Sequence, residues 1–223
     1  MNMLKSILLV IGIFLNTGAF ASVQDAPELK SCLEHPDAYA SRSAELQDIY
    51  NADQADREGN PNSIDWSKIS PRDLARRARV AEIFAEGCFK VAKDYANAAM
   101  VYQHGQTPDH FFQTFVWAKK AVDLGDSSSK WLMAAGLDRY LVHTGQKQLF
   151  ATQGGKDDIK SPCWCLEPVE TSFPTEKQIE YTAKTVADQL KWIQSLNEGQ
   201  TCGDPQCKHA LKPSPAGTVP GFW

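Results

Sequence analysis

The chain has 223 residues, a formal charge of -4 and 22% charged side chains, with no basic tract. That balance excludes nucleic acid and anionic membrane as principal partners, because both are bound through clustered Lys and Arg. A hydrophobic content of 43% at this length supports one domain with a sizeable core.

Residues 1–21 read as a signal peptide. Lys5 supplies the positive n-region, Ile7 to Leu15 the apolar centre, and Ala19-Phe20-Ala21 the small-x-small pattern before a cut. Cleavage there starts the mature chain at Ser22 and predicts a periplasmic or secreted protein. The apolar run is shorter than the roughly 20 residues a spanning helix needs. No later stretch approaches that length, so no transmembrane segment is expected in the mature chain.

All six cysteines, Cys32, Cys88, Cys163, Cys165, Cys202 and Cys207, follow the cut. An even count in an oxidising compartment predicts disulfides. The Cys163-Trp164-Cys165 cluster is expected to pair with Cys202 and Cys207, and Cys32 with Cys88. A zinc site of these thiolates, with His209 as a further ligand, is the alternative. Cys-x-Cys is tighter than the usual zinc spacing, so neither metal nor cofactor is expected.

In chain order, Ala26 to Glu34 reads as a short helix stopped by Pro36. Ser41 or Ser43 caps the next, which runs to Glu58 and stops at Gly59. On it Leu46, Ile49, Tyr50, Asp53 and Arg57 share a face. Ser70-Pro71-Arg72-Asp73 reads as a helix start, with a buried stripe of Leu74, Ala78, Ala81, Phe84 and Cys88 and a solvated face carrying Arg72, Arg76 and Arg79. Three helices closed by glycine then occupy Tyr95 to Gly145. Their apolar faces carry Tyr95, Ala98, Ala99 and Tyr102, then Phe111, Phe115, Ala118 and Val122, then Ala134, Leu137, Leu141 and Val142 around Asp138. The aromatics Phe111, Phe112, Phe115 and Trp117 are expected in the core. Residues 154–172 read as irregular, Thr175 to Asn197 as one long amphipathic helix, and 201–223 as an irregular tail pinned by disulfides.

No segment alternates well enough to be a strand. The predicted fold is all-α, with antiparallel helix hairpins packed as an irregular bundle or short solenoid, stabilised by disulfides. The helical domain spans 22–200. VYQHG ending at Gly105 and LVHTG ending at Gly145 form a weak internal repeat, similar to a Sel1- or tetratricopeptide-type helix pair.

From about Gln47 to Gln153 the chain resembles a bacterial family of unknown function, DUF6624. The resemblance rests on Asp53-Gln54-x-x-Arg57, Gln103-His104, Asp138-Arg139 and Gln148 with Thr152-Gln153. It implies no activity. The chain departs from the family pattern at Phe150-Ala151-Thr152-Gln153, where an aromatic-Gly-Thr-Gln is expected, and that concerns the backbone just before Thr152.

The candidate site follows from charges on inward faces. Asp53, His104 and Asp138 are the candidate catalytic groups, and Gln54, Arg57, Gln103, Arg139, Gln148 and Gln153 the candidate binding groups. Converging, they can hold a polar ligand or do acid–base chemistry. The structural alternative is a buried ion-pair network joining Asp138 to Arg57 or Arg139. His104 and His110 do not have a helical metal spacing. No G-x-S-x-G, H-E-x-x-H, phosphate-loop or dinucleotide pattern is present. The leading expectation is a binding module for a protein, peptide or glycan. The alternative is a small cell-envelope hydrolase using Asp53, His104 and Asp138.

Overall fold

A computed structural model describes residues 31–59, 64–158 and 160–223. The signal-peptide reading and residues 26–30 of the expected helix at 26–34 lie outside them, and the described remainder, Ser31 to Glu34, is a turn and not a helix. Helices α1 (Ala38–Ala55), α2 (Trp66–Ala85), α3 (Ala92–Gln103), α4 (Pro108–Asp123) and α5 (Lys130–His143) are followed by an irregular segment. Two short helices then close the order, α6 (Thr175–Thr182) and α7 (Val186–Leu196). The only strands among the described residues are β1 (Gly154–Gly155) and β2 (Cys165–Leu166), paired antiparallel. The fold is all-α, as expected.

Side-chain rungs fix the helix directions. Asp94 accepts from the hydroxyls of Tyr39 (3.0 Å) and Ser43 (2.7 Å), Asn97 donates to Gln47 (3.1 Å), and His104 meets Asp53. Residue numbers climb together on both sides, so α1 and α3 run parallel. Between α1 and α2 they run opposite: Arg76 donates to the Ala52 carbonyl, Arg79 meets Glu45, and Arg42 meets Glu86. Helix α4 returns along α3, with the Thr114 hydroxyl against the Ala99 carbonyl. Helix α5 runs back along α4, placing Phe112 on Tyr140 and Phe111 on His143. Thus α1, α3 and α5 are parallel, with α2 and α4 antiparallel to them.

Small residues permit the close crossings. A Cβ at Gly136 would lie 2.8 Å from the Thr114 methyl and 2.9 Å from the Phe115 nitrogen. Ala118, Ala121, Ala134 and Ala135 complete that contact, all fully buried. The expected stripes of α3, α4 and α5 hold, and Phe111, Phe115 and Trp117 are core residues while Phe112 is 40% exposed.

Three described elements differ from expectation, the first being α1, which starts at Ala38 with Asp37 at its N-cap position rather than Ser41 or Ser43. Helix α2 begins earlier, with the Asp65 carboxylate accepting from the Ser67 N–H, and carries Pro71 in its second turn. Pro71 leaves a carbonyl unpaired at Ser67, a position where a helix is only beginning to accept bonds. Its buried stripe is Ile69, Asp73, Arg77, Val80 and Ile83, while Leu74, Ala78, Ala81 and Phe84 are exposed. The expected stripe lies one residue late because the true inward face carries two charged residues, Asp73 and Arg77, among its apolar positions. The long C-terminal helix is two helices. Ala183 adopts φ +55°, and Thr185 and Asp188 bond reciprocally as a fresh capping box. Ile179 is consequently 46% exposed, whereas Ile193 is buried.

The disulfides are Cys32–Cys88, Cys163–Cys202 and Cys165–Cys207, the pairing of clusters that the spacing predicts. The zinc alternative is excluded for these thiols, since all six are oxidised. The final residues do more than trail from them. Phe222 packs on Phe115 and Phe150, Trp223 packs on Phe173, and the Trp223 indole N–H donates to the Ser214 carbonyl. No described helix is long and apolar enough to cross a membrane.

Candidate functional site

The structure divides the predicted site residues between two networks. The first joins α1, α2 and α3. Asp53 is fully buried and accepts from Gln54 (2.8 Å), from Arg57 (3.1 Å) and from His104 Nδ1 (2.9 Å). With two donors already committed to it, the carboxylate can only accept, so Nδ1 carries the proton. Arg57 passes the network to Asp73 at 2.6 Å, Asp73 to Arg76, and Arg76 to Asp56, which Arg72 also grips. The arginines read as a solvated face are therefore ion-pair partners, and Arg76 is largely covered.

Asp73 and Arg77 are the members that sequence reasoning missed. Arg77 is buried, donates to the His104 carbonyl at 3.1 Å, and leaves Nε without a partner. Gln103 Oε1 is the other buried side-chain atom left unpaired among the described residues. The signal was available: Ile69, Val80 and Ile83 define the inward face, and Asp73 and Arg77 lie within it at helical spacing.

The second network surrounds Asp138, and it corrects the expected ion pair. Asp138 contacts neither Arg57 nor Arg139. Its oxygens accept from the N–H groups of Leu149 (2.7 Å), Phe150 (3.0 Å) and Thr152 (2.9 Å), and from the Thr152 hydroxyl (2.8 Å). Successive amides converge on one anion because Ala151 adopts a left-handed φ of +61°. This is a backbone nest closed on a side chain of the same molecule. Burial, offset in part by the converging donors, leaves the Asp138 carboxyl raised to about 6. Ala151 thus occupies a backbone geometry that glycine adopts more readily.

Gln148 and Gln153 lock the same turn. Gln148 donates to the carbonyls of Gln153 (3.0 Å) and Glu167 (2.7 Å), and accepts from the Gln153 N–H (2.8 Å). Arg139 ties this turn to α3, donating to Gln153 Oε1 (3.0 Å) and to the Gln103 carbonyl (2.6 Å). Arg139 also lies over the Phe111 ring. Asp138 and the Asp53–His104 pair are thus separate constructions, and Arg139 links the turn beside Asp138 to the end of α3. His110 joins neither as a ligand: its Nδ1 accepts from the Gln106 N–H.

Comparison with protein-family models, curated proteins and solved structures returns no match. Function has to come from geometry.

The main concavity lies elsewhere on the same helices. A groove of about 610 Å³ crosses the parallel set, walled by Gln47 and Tyr50 of α1, Lys93 and Asn97 of α3, and Asp126 and Trp131 at the entry to α5. Met100 and Leu132 also line it. Asn97 is anchored by donating to Gln47. Asp126 is anchored by accepting from the hydroxyls of Ser128 and Ser129. Trp131 is 47% exposed at the rim. Asp53, His104 and Asp138 do not line this groove, nor the smaller cavities on other faces.

Proposed function

We propose that the protein is an exported helical binding module that holds a polar ligand in the groove across α1, α3 and α5, with its charged clusters acting as struts. The observation that carries this reading is the separation of the predicted catalytic groups from the concavity. Every predicted catalytic group is committed to internal partners, while the groove presents amide, carboxylate, ammonium and aromatic groups to solvent. A concave site with few fixed polar groups beside apolar walls is the usual form of a ligand site. Three disulfides and the predicted signal peptide support export to an oxidising compartment. The parallel α1, α3 and α5 with returning α2 and α4 resemble the helix pairs of Sel1- and tetratricopeptide-type solenoids, which bind along a concave face.

The test fills the groove. Ala96 lines it on α3, and Ala96→Trp places an indole in its volume. Thermal-shift screening of wild type against cell-wall peptides and glycans should give a stabilising ligand that Ala96→Trp no longer binds. A ligand whose binding is indifferent to that substitution would sink the groove reading.

One observation favours a second reading, a hydrolase. His104 is held at Nδ1 by a buried carboxylate, and its Nε2 has no partner among the described residues, the arrangement of a general base. Asp138 has no place in such a mechanism. Turnover of a cell-wall fragment that vanishes in His104→Gln and survives in Ala96→Trp would establish this reading over the first.

A further inference from the structure

The groove does not end at Trp131. On the far side of that indole lies a second cavity of about 320 Å³, bordered by Trp131, Thr152, Lys184, Gln189 and Trp192. Trp131 therefore forms a shared wall between two concavities. Trp192 is 40% exposed, so two large indoles remain uncovered around one polar recess.

Gln189 carries the argument further. It is only 4% exposed, yet its side-chain amide makes no hydrogen bond with any described residue, and it lines this cavity. Neither polar atom of that amide is among the buried unpaired side-chain atoms, so the part of Gln189 that stays accessible is its amide, open to whatever fills the recess. Its N–H₂ and carbonyl oxygen sit side by side, one donor edge and one acceptor edge. Lys184 adds an ammonium with no carboxylate partner among the described residues. The floor of the recess is rigid, since Thr152 belongs to the Asp138 nest and Trp192 packs beside Gly154.

We propose that this recess is a pyranose subsite, and that the ligand is an oligosaccharide running from the α1–α3–α5 groove across Trp131 to Trp192. A pyranose ring has an apolar C–H face and an equatorial belt of hydroxyls. Indoles offer flat apolar surface to the face, with an N–H at the edge for a polar partner. A primary amide pairs with two neighbouring hydroxyls, donating to one and accepting from the other. The groove repeats that chemistry with Tyr50, Gln47, Asn97 and Asp126. A peptide in extended form needs backbone partners such as a free strand edge. The described residues place none here: β1 and β2 pair with each other and lie outside both cavity linings. The proposal deepens the binding reading by naming the ligand class, and it adds a subsite that can stand without the groove.

Isothermal titration of the full oxidised protein with tetrasaccharides tests it, using three probes: cellotetraose, the β-linked N-acetylglucosamine tetramer and a tetragalacturonate. At least one should bind, quench tryptophan fluorescence, and bind more tightly than its monosaccharide. Trp192→Ala and Gln189→Leu should each weaken it by roughly ten-fold, with the fold checked by melting temperature. Both positions face the recess, and Gln189→Leu keeps the packed volume. Binding lost in Ala96→Trp but unchanged in both Trp192→Ala and Gln189→Leu would overturn the subsite and leave the groove reading intact. Binding lost in Trp192→Ala but unchanged in Ala96→Trp would keep the subsite and remove the groove. Failure of all three tetrasaccharides to bind, or capture of a proline-rich peptide in their place, would overturn the saccharide assignment.

Discussion

Replacing Asp138 by alanine should be among the most damaging single substitutions in the molecule, although Asp138 itself lines neither the groove nor the recess. The carboxylate is fully buried and is the acceptor for the N–H groups of Leu149, Phe150 and Thr152. Alanine leaves those three donors without a partner in a dry interior. A buried donor left unmade costs about 1–3 kcal/mol, giving a nominal range of about 3–9 kcal/mol. Water entering the vacated space relieves part of this, so about 3–5 kcal/mol is expected, or roughly 6–20 °C in melting temperature at this size. Urea unfolding of wild type and Asp138→Ala under oxidising conditions measures it. A loss below about 1 kcal/mol would refute the reasoning, because it would mean the amides find other partners and the nest is incidental.

Other expectations follow from the same contacts. The Asp138 carboxyl, at about 6 in the folded chain against an ordinary 3.8, holds a proton that the unfolded chain has released. Stability from this group therefore grows as pH falls from about 6 to 4, by up to about 3 kcal/mol, and is flat above that window. The gap in unfolding free energy between wild type and Asp138→Ala should widen from pH 7 to pH 4.5; a gap that narrows contradicts the assignment. At Ala151, glycine relieves a left-handed strain of about 1–2 kcal/mol while losing a buried methyl and chain stiffness of similar total size, so Ala151→Gly should be near neutral. Ala151→Val should be clearly destabilising by the same unfolding assay, since a β-branched residue resists positive φ. Gly136→Ala should lower the melting temperature despite better helix propensity, because its methyl enters the Thr114–Phe115 contact. Removing Cys32–Cys88 by paired serine substitution should cost about 4 kcal/mol on a loop-closure account, read by unfolding without reductant.

Much of the architecture was legible because its signals are local. Thr107-Pro108-Asp109 starts α4, with the Thr107 hydroxyl accepting from the His110 N–H, and the apolar stripes of α3, α4 and α5 have helical spacing. Cysteine clustering sufficed for which clusters join, but not for which of Cys163 and Cys165 meets Cys202. The misread helix is instructive: α2 buries Asp73 and Arg77, and a pattern search that sorts residues into apolar and polar assigns such a face to solvent. The break at Ala183 was hidden for the opposite reason, since Ile179, Ala183 and Val186 keep helical spacing across a turn that is not helical.

The candidate site was legible for Asp53, His104 and Asp138, but not for Asp73 and Arg77, nor in which charges meet. Inward placement of Asp53, His104 and Asp138 is a property of each helix, and all three are on inward faces. Which charges meet depends on helix rotation and on a turn at 149–152 that returns to α5, and neither is encoded in spacing. The amides that hold Asp138 carry no side-chain signature at all. The groove and the recess beside Trp131 come from gaps between elements, which no stretch of sequence displays.

The central claim is that the Asp53 network is a strut, and unfolding free energy tests it most directly. Asp53→Asn and Arg57→Ala each break a buried pair, since Arg57 bridges Asp53 and Asp73. Loss of about 3–5 kcal/mol in both, with ligand binding in the groove retained below the new melting point, is the predicted result. Stability unchanged or raised in both would contradict it, because charges kept against stability are characteristic of an active site, and His104 would then be the residue to pursue.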